Sequence, residues 1–181
     1  MLSTRLTGFV FSVFLLAGCA STATQSEFDT THYTDRLQTS TDGGLRISTS
    51  TLSDREAEAV YGVPLAENGI QPVWIEVENQ DDIAYWLLSP GLDPDFFPAS
   101  EAADIFAGSD TRSNRELNRH FGQLAFKNPV VPGATVSGYI LTNHDEAVKM
   151  VELDLVASGH LKSYSTITPV PGFRGDYKES K

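Results

Sequence analysis

The aspartates of Gly91-Leu92-Asp93-Pro94-Asp95-Phe96-Phe97 are the best-placed candidates for chemistry in this chain. Asp93 and Asp95 are two residues apart, stiffened by prolines and near a turn that holds Asp81 and Asp82, so together they could offer oxygen ligands to a calcium ion. No EF-hand pattern surrounds them, and exposed aspartate in proline-rich loops is a common turn device. A structural role, with Phe96 and Phe97 pinning the loop to the body, is the stronger expectation. His32, His120, His144 and His160 show neither H-x-H nor H-E-x-x-H spacing, which leaves no sequence-local metal site. Serines are plentiful, but no G-x-S-x-G elbow is present. Glu76, Glu78, Glu152 and Asp154 alternate outward on strands, the pattern of a solvated sheet face rather than of a paired acid and base. The expectation is a non-catalytic protein with no metal and no cofactor.

Two other groups of residues suit binding. Arg112, Arg115, Arg119, His120 and Lys127 form the one basic stretch, and on a helix Arg115 and Arg119 share a face at i, i+4. That face either meets an acidic partner or a phosphate, or is simply solvated and paired with acids such as Glu116, the commoner arrangement. Trp74 and Trp86 sit on consecutive predicted strands and are expected as cross-strand neighbours. With Tyr85 and Tyr139 they line either a ligand surface or, more commonly, a core.

Cys19 is the only cysteine and ends the run Leu16-Ala17-Gly18-Cys19. A basic start, Met1 to Arg5, precedes it, followed by an apolar stretch from Leu6 to Leu16 that is too short to span a bilayer. The run resembles the lipobox of bacterial lipoproteins. That resemblance implies cleavage before Cys19, a diacylglycerol on its thiol and attachment to a membrane. An acylated thiol forms no disulfide and is neither a nucleophile nor a zinc ligand. Ala20, where aspartate usually signals inner-membrane retention, implies the outer membrane. Loss of residues 1–18 leaves 12 basic against 24 acidic residues, a net charge of −12. Such a body stands off anionic surfaces and has no broad basic face for nucleic acid.

The elements that must position these residues read mainly as strands. Residues 19–43, rich in Ser, Thr, Gln and Asp, read as a flexible tether, with local docking of Phe28 and Tyr33 left open. Leu45 to Thr51 alternates as a strand, and Ser53-Asp54-Arg55-Glu56 is a capping box for a helix that Gly62 closes. Val73 to Glu78 is the clearest strand, with Val73, Ile75 and Val77 on one face. Asn79 to Asp82 reads as a turn into a second strand, Ile83 to Leu88, making a hairpin. Ser89 to Pro98 reads as an irregular loop, Ser100 to Phe106 as one or two helical turns, and Ser113-Asn114-Arg115-Glu116 as a second capping box for a helix over 114–122. Strands follow at Val136–Thr142, Val148–Val156 and Leu161–Thr168, and His144 and His160 should flank the second of these at opposite ends.

Gly69-Ile70-Gln71-Pro72-Val73-Trp74-Ile75-Glu76-Val77-Glu78-Asn79, Tyr85-Trp86-Leu87-Leu88, the Gly91–Phe97 segment and Gly138-Tyr139-Ile140-Leu141-Thr142-Asn143 together resemble an uncharacterised extracytoplasmic module of bacterial envelope proteins, associated with LssY-type C-terminal domains. The resemblance implies an envelope β-sandwich and brings no catalytic residues. The expected protein has a signal peptide (1–18), a lipidated tether (19–43) and one immunoglobulin-like β-sandwich (44–177) with two short helical insertions. Its expected role is that of an outer-membrane-anchored, periplasmic interaction or accessory module with a protein partner. The alternative is a small-ligand or calcium-binding domain.

Overall fold

In the computed structural model, residues 31–88 and 96–171 are described. They run α1 (Thr31–Thr34), β1 (Gln38–Asp42), β2 (Leu45–Thr51), α2 (Asp54–Tyr61), a 3₁₀ turn (Leu65–Asn68), β3 (Ile70–Asn79), β4 (Trp86–Leu87), β5 (Phe96–Phe97), α3 (Ala99–Ile105), α4 (Thr111–Leu124), β6 (Thr135–Asn143), β7 (Val148–Ala157) and β8 (His160–Pro169). The fold is mainly β. Its strands form two antiparallel sheets, ordered β1-β2-β3-β6-β5 and β4-β7-β8.

The period-2 alternation of the strands builds the space between the sheets. Leu45, Ile47, Val73, Ile75 and Val77 turn inward from the larger sheet and meet Val151, Leu153 and Leu155 from the smaller one. The opposite face of the larger sheet carries a second core. There Leu52, Ile70 and Leu141 pack beneath Tyr61 of α2, Ala102 and Ala103 of α3, and Phe121 of α4. The rings of Tyr61 and Phe121 meet edge to face at 4.7 Å. The molecule therefore has three layers, helix, sheet and sheet. Two short helical insertions were expected. Instead the second insertion carries both α3 and the 14-residue α4, and with α2 it roofs the larger sheet.

The caps explain part of that difference. Ser53 Oγ accepts the Glu56 amide at 3.3 Å while Glu56 accepts the Ser53 amide at 2.8 Å, the expected capping box. Gly62 then closes α2 at a φ of 73°. At α4 the expected cap at Ser113 is replaced. Asp110 accepts the amides of Arg112 and Ser113 at 3.2 and 3.1 Å. A carboxylate is a stronger acceptor than a hydroxyl and suits the positive end of the helix, so α4 starts earlier than the box implied.

The hairpin expected from β3 into Ile83–Leu88 does not form. Asn79 holds the chain as it leaves the larger sheet: its Oδ1 accepts the Asp81 amide at 3.0 Å, and its Nδ2 donates to the carbonyls of Ile83 and Val130 at 2.8 and 2.9 Å. The chain crosses to the other sheet, where Trp86 pairs with Val156 and Leu87 with Leu155. Phe96–Phe97, read as loop, pairs with Leu141 and Thr142 as an edge strand. Gln38–Asp42, read as tether, pairs along β2 through a two-residue Gly43-Gly44 turn.

Candidate functional site

The outer face of the three-stranded sheet is built by the alternation that makes its core. In β7, Val151, Leu153 and Leu155 are buried, so Val148, Met150, Glu152, Asp154 and Val156 turn outward. In β8, Tyr164 and Thr168 are buried and Leu161, Ser163, Ser165 and Ile167 turn outward. Register then sets the rows. Trp86, Val156 and Leu161 form one across all three strands, and Met150 faces Ile167 near the other end. These side chains stand in water: Trp86 is 45% exposed, Met150 and Leu161 61% each, and Ile167 66%. The two apolar ends lie about 20 Å apart along β7. Between them Glu152 faces Ser165, and Ser163 donates to Asp154 at 2.6 Å. Paired apolar groups flanking an acidic centre suit a partner with apolar contacts and a basic group.

A polar clamp sets the position of β4. Tyr85 turns inward and its hydroxyl donates to Asp81 Oδ2 at 2.9 Å, while Asp81 Oδ1 accepts the Gly44 amide at 3.0 Å. Lys162 Nζ lies 3.5 Å from the same carboxylate. The Tyr85 hydroxyl, then the Lys162 charge and the Gly44 amide, hold the Asp81 carboxyl below its ordinary value against an opposing effect of burial. Burial and the neighbouring Asp81 charge push the Tyr85 phenol up to about 12. A phenol so raised stays protonated at neutral pH and is a poor proton donor, and the clamp's effect is to fix the crossing that presents Trp86.

The residues singled out by sequence separate in space. Trp74 is half-buried on the helix-covered face of the larger sheet, in register with Tyr139 and 5.6 Å from the Tyr33 ring. Trp86 faces solvent on the other sheet, so the expected cross-strand tryptophan pair is absent. Tyr139 is buried, with its hydroxyl donating to that of Tyr33 at 3.3 Å. Arg115 and Arg119 are exposed on α4 while Phe121 turns inward, as their spacing required. Among the described residues neither arginine forms an ion pair, so the expected pairing with Glu116 is not made. Arg119 donates instead to Gln123 at 2.9 Å. Asp93, Asp95 and Cys19 lie outside the described residues.

His144 pairs with Asp54 at 2.8 Å and His120 contacts the Val60 carbonyl at 2.9 Å. His144 and His160 sit at opposite ends of β7. Among the described residues no three His, Cys, Asp or Glu side chains gather to hold a metal. No protein-family model matches the chain, and no curated protein matches it. Of this apolar face the sequence reading named only Trp86: Val148 and Met150 share the outward phase of Glu152 and Asp154, and Leu161 and Ile167 that of Ser163 and Ser165. Large apolar residues in a polar phase were the signal.

Proposed function

We propose that this chain is a non-catalytic lipoprotein of the bacterial envelope, held at the outer membrane by a lipid on Cys19. In this reading its domain docks a periplasmic protein through the outer face of β4, β7 and β8. The observation that carries the reading is the exposure of Trp86, Met150, Leu161 and Ile167 on one side of one sheet. Tryptophan and methionine are enriched at protein interfaces, and an acidic strip between two apolar rows gives a partner its register. The sandwich is read further as immunoglobulin-like. In support, β2-β3-β6-β5 facing β4-β7-β8 follows the A-B-E-D and C-F-G strand order of that fold, with β1 added outside the first strand. The resemblance to the extracytoplasmic module of LssY-type envelope proteins points to the same compartment.

In-cell crosslinking of the tagged, lipidated protein, with partners identified by mass spectrometry, tests this function. One dominant envelope protein, lost when Cys19→Ser removes the anchor, is the expected result. Recovery of abundant outer-membrane neighbours alone would overturn it and favour ligand binding.

A further inference from the structure

A cavity of about 190 Å³ opens where β6 changes partners along its edge. Phe97 of β5 pairs antiparallel with Leu141, whereas Ala125, arriving from α4, bridges Tyr139 in parallel. The Phe126 amide donates to the Tyr139 carbonyl at 2.9 Å. Both neighbours lie along the same edge and then diverge, one into α3 and one away from α4, so the gap between them follows from topology rather than loose packing. Leu87, Phe97, Phe126 and Ile140 line it, and Ala99 and Ala125 stand where larger side chains would close it. Asn128 at its rim is exposed, its amide held by the backbone N–H and C=O of Leu87 at 2.8 and 2.7 Å.

Tyr61 adds a second observation. It lines the cavity and is 2% exposed, and its hydroxyl makes no hydrogen bond among the described residues. Burial pushes this phenol above its ordinary range, so it is neutral. The oxygen is not sealed from solvent, and a bound molecule with one polar group would take the place of water on it. No lining residue is charged, so the occupant is neutral. An apolar cavity of roughly 150 Å³ accepts benzene, which sets the scale of the molecule.

We propose that this cavity is a binding site for a small neutral aromatic molecule of phenol size, its ring among the apolar walls and its hydroxyl on that of Tyr61. Phenol and benzene are the probes, titrated into the purified full-length chain and followed by amide chemical shifts and calorimetry. Phenol should saturate with a Kd on the order of 1 mM. Tyr61→Phe should weaken phenol about fivefold and leave benzene unchanged. Ala125→Leu, which fills the cavity, should abolish binding of both; Ala99→Leu fills it from the other wall if the first variant fails to fold. No saturable binding of phenol, or unaltered binding to a folded filled variant, would overturn the proposal.

Discussion

The two sheets share a core yet treat their outer faces in opposite ways. The larger sheet turns Ile70, Trp74, Tyr139 and Leu141 outward and covers them with α2, α3 and α4. The smaller sheet turns Trp86, Met150, Leu161 and Ile167 outward and leaves them in water. Apolar residues on an outer face thus have two fates in one molecule. On the first sheet they stabilise the fold; on the second they add little to it, and their placement in rows is the basis for reading that face as a docking surface.

Truncation should expose this contrast most strongly. Phe121→Ala is expected to cost about 3–5 kcal/mol in urea denaturation, because it empties the middle of the helix-covered core. An equal loss on Ile167→Ala would break the comparison. Gly138→Ala should cost roughly 1–3 kcal/mol by the same measurement, since a Cβ there would lie 2.6 Å from Phe126 Cα, a backbone atom that cannot swing aside. Such a loss would sharpen the view that the α4 exit is seated tightly on β6.

Ser53→Ala should cost about 1 kcal/mol by loosening α2, the first element of the roof. The smallest effect is expected on the bare face, where Met150→Ser and Ile167→Ser should change stability by no more than about 0.5 kcal/mol while reducing partner capture.

The inter-sheet core makes its own prediction in alkali. Burial raises the Tyr85 and Tyr164 phenols to about 12, against about 10 in an unfolded chain. Above pH 10 the unfolded state loses these protons first and binds fewer than the native state, so stability falls as pH rises. Urea midpoints should therefore be insensitive to these tyrosines below pH 10 and decline between about 10 and 12. Tyrosinate absorbance appearing together with unfolding is the check. Free titration near pH 10 in a folded protein would contradict the burial of these groups.

Much of the fold was legible in the sequence because its signals are local. Alternation gave β2, β3, β6, β7 and β8, and the Ser53 box and Gly62 bounded α2. What local patterns lack is the identity of a partner. Ile83–Leu88 alternates plausibly for a strand beside β3, and the bonds of Asn79 that send it to the other sheet involve Val130, distant in sequence. β1 has no apolar alternation to read, since its five polar or acidic residues join the sheet as an edge through backbone pairing. For α4, two capping patterns lay three residues apart and the stronger acceptor prevailed. The same limit applied to the candidate site. The inward residues of β7 were evident, but pairing two tryptophans by sequence proximity placed Trp74 and Trp86 on one surface when they lie on opposite sides of the fold.

Site-specific photocrosslinking in cells tests the account most directly. A benzophenone side chain would replace Ser165, at the centre of the bare face, and separately Glu116, on exposed α4. The account predicts one dominant protein adduct from position 165 and none from position 116. Adduct formation from 116 alone, or the same diffuse set from both positions, would contradict the outer face of the three-stranded sheet as the docking surface.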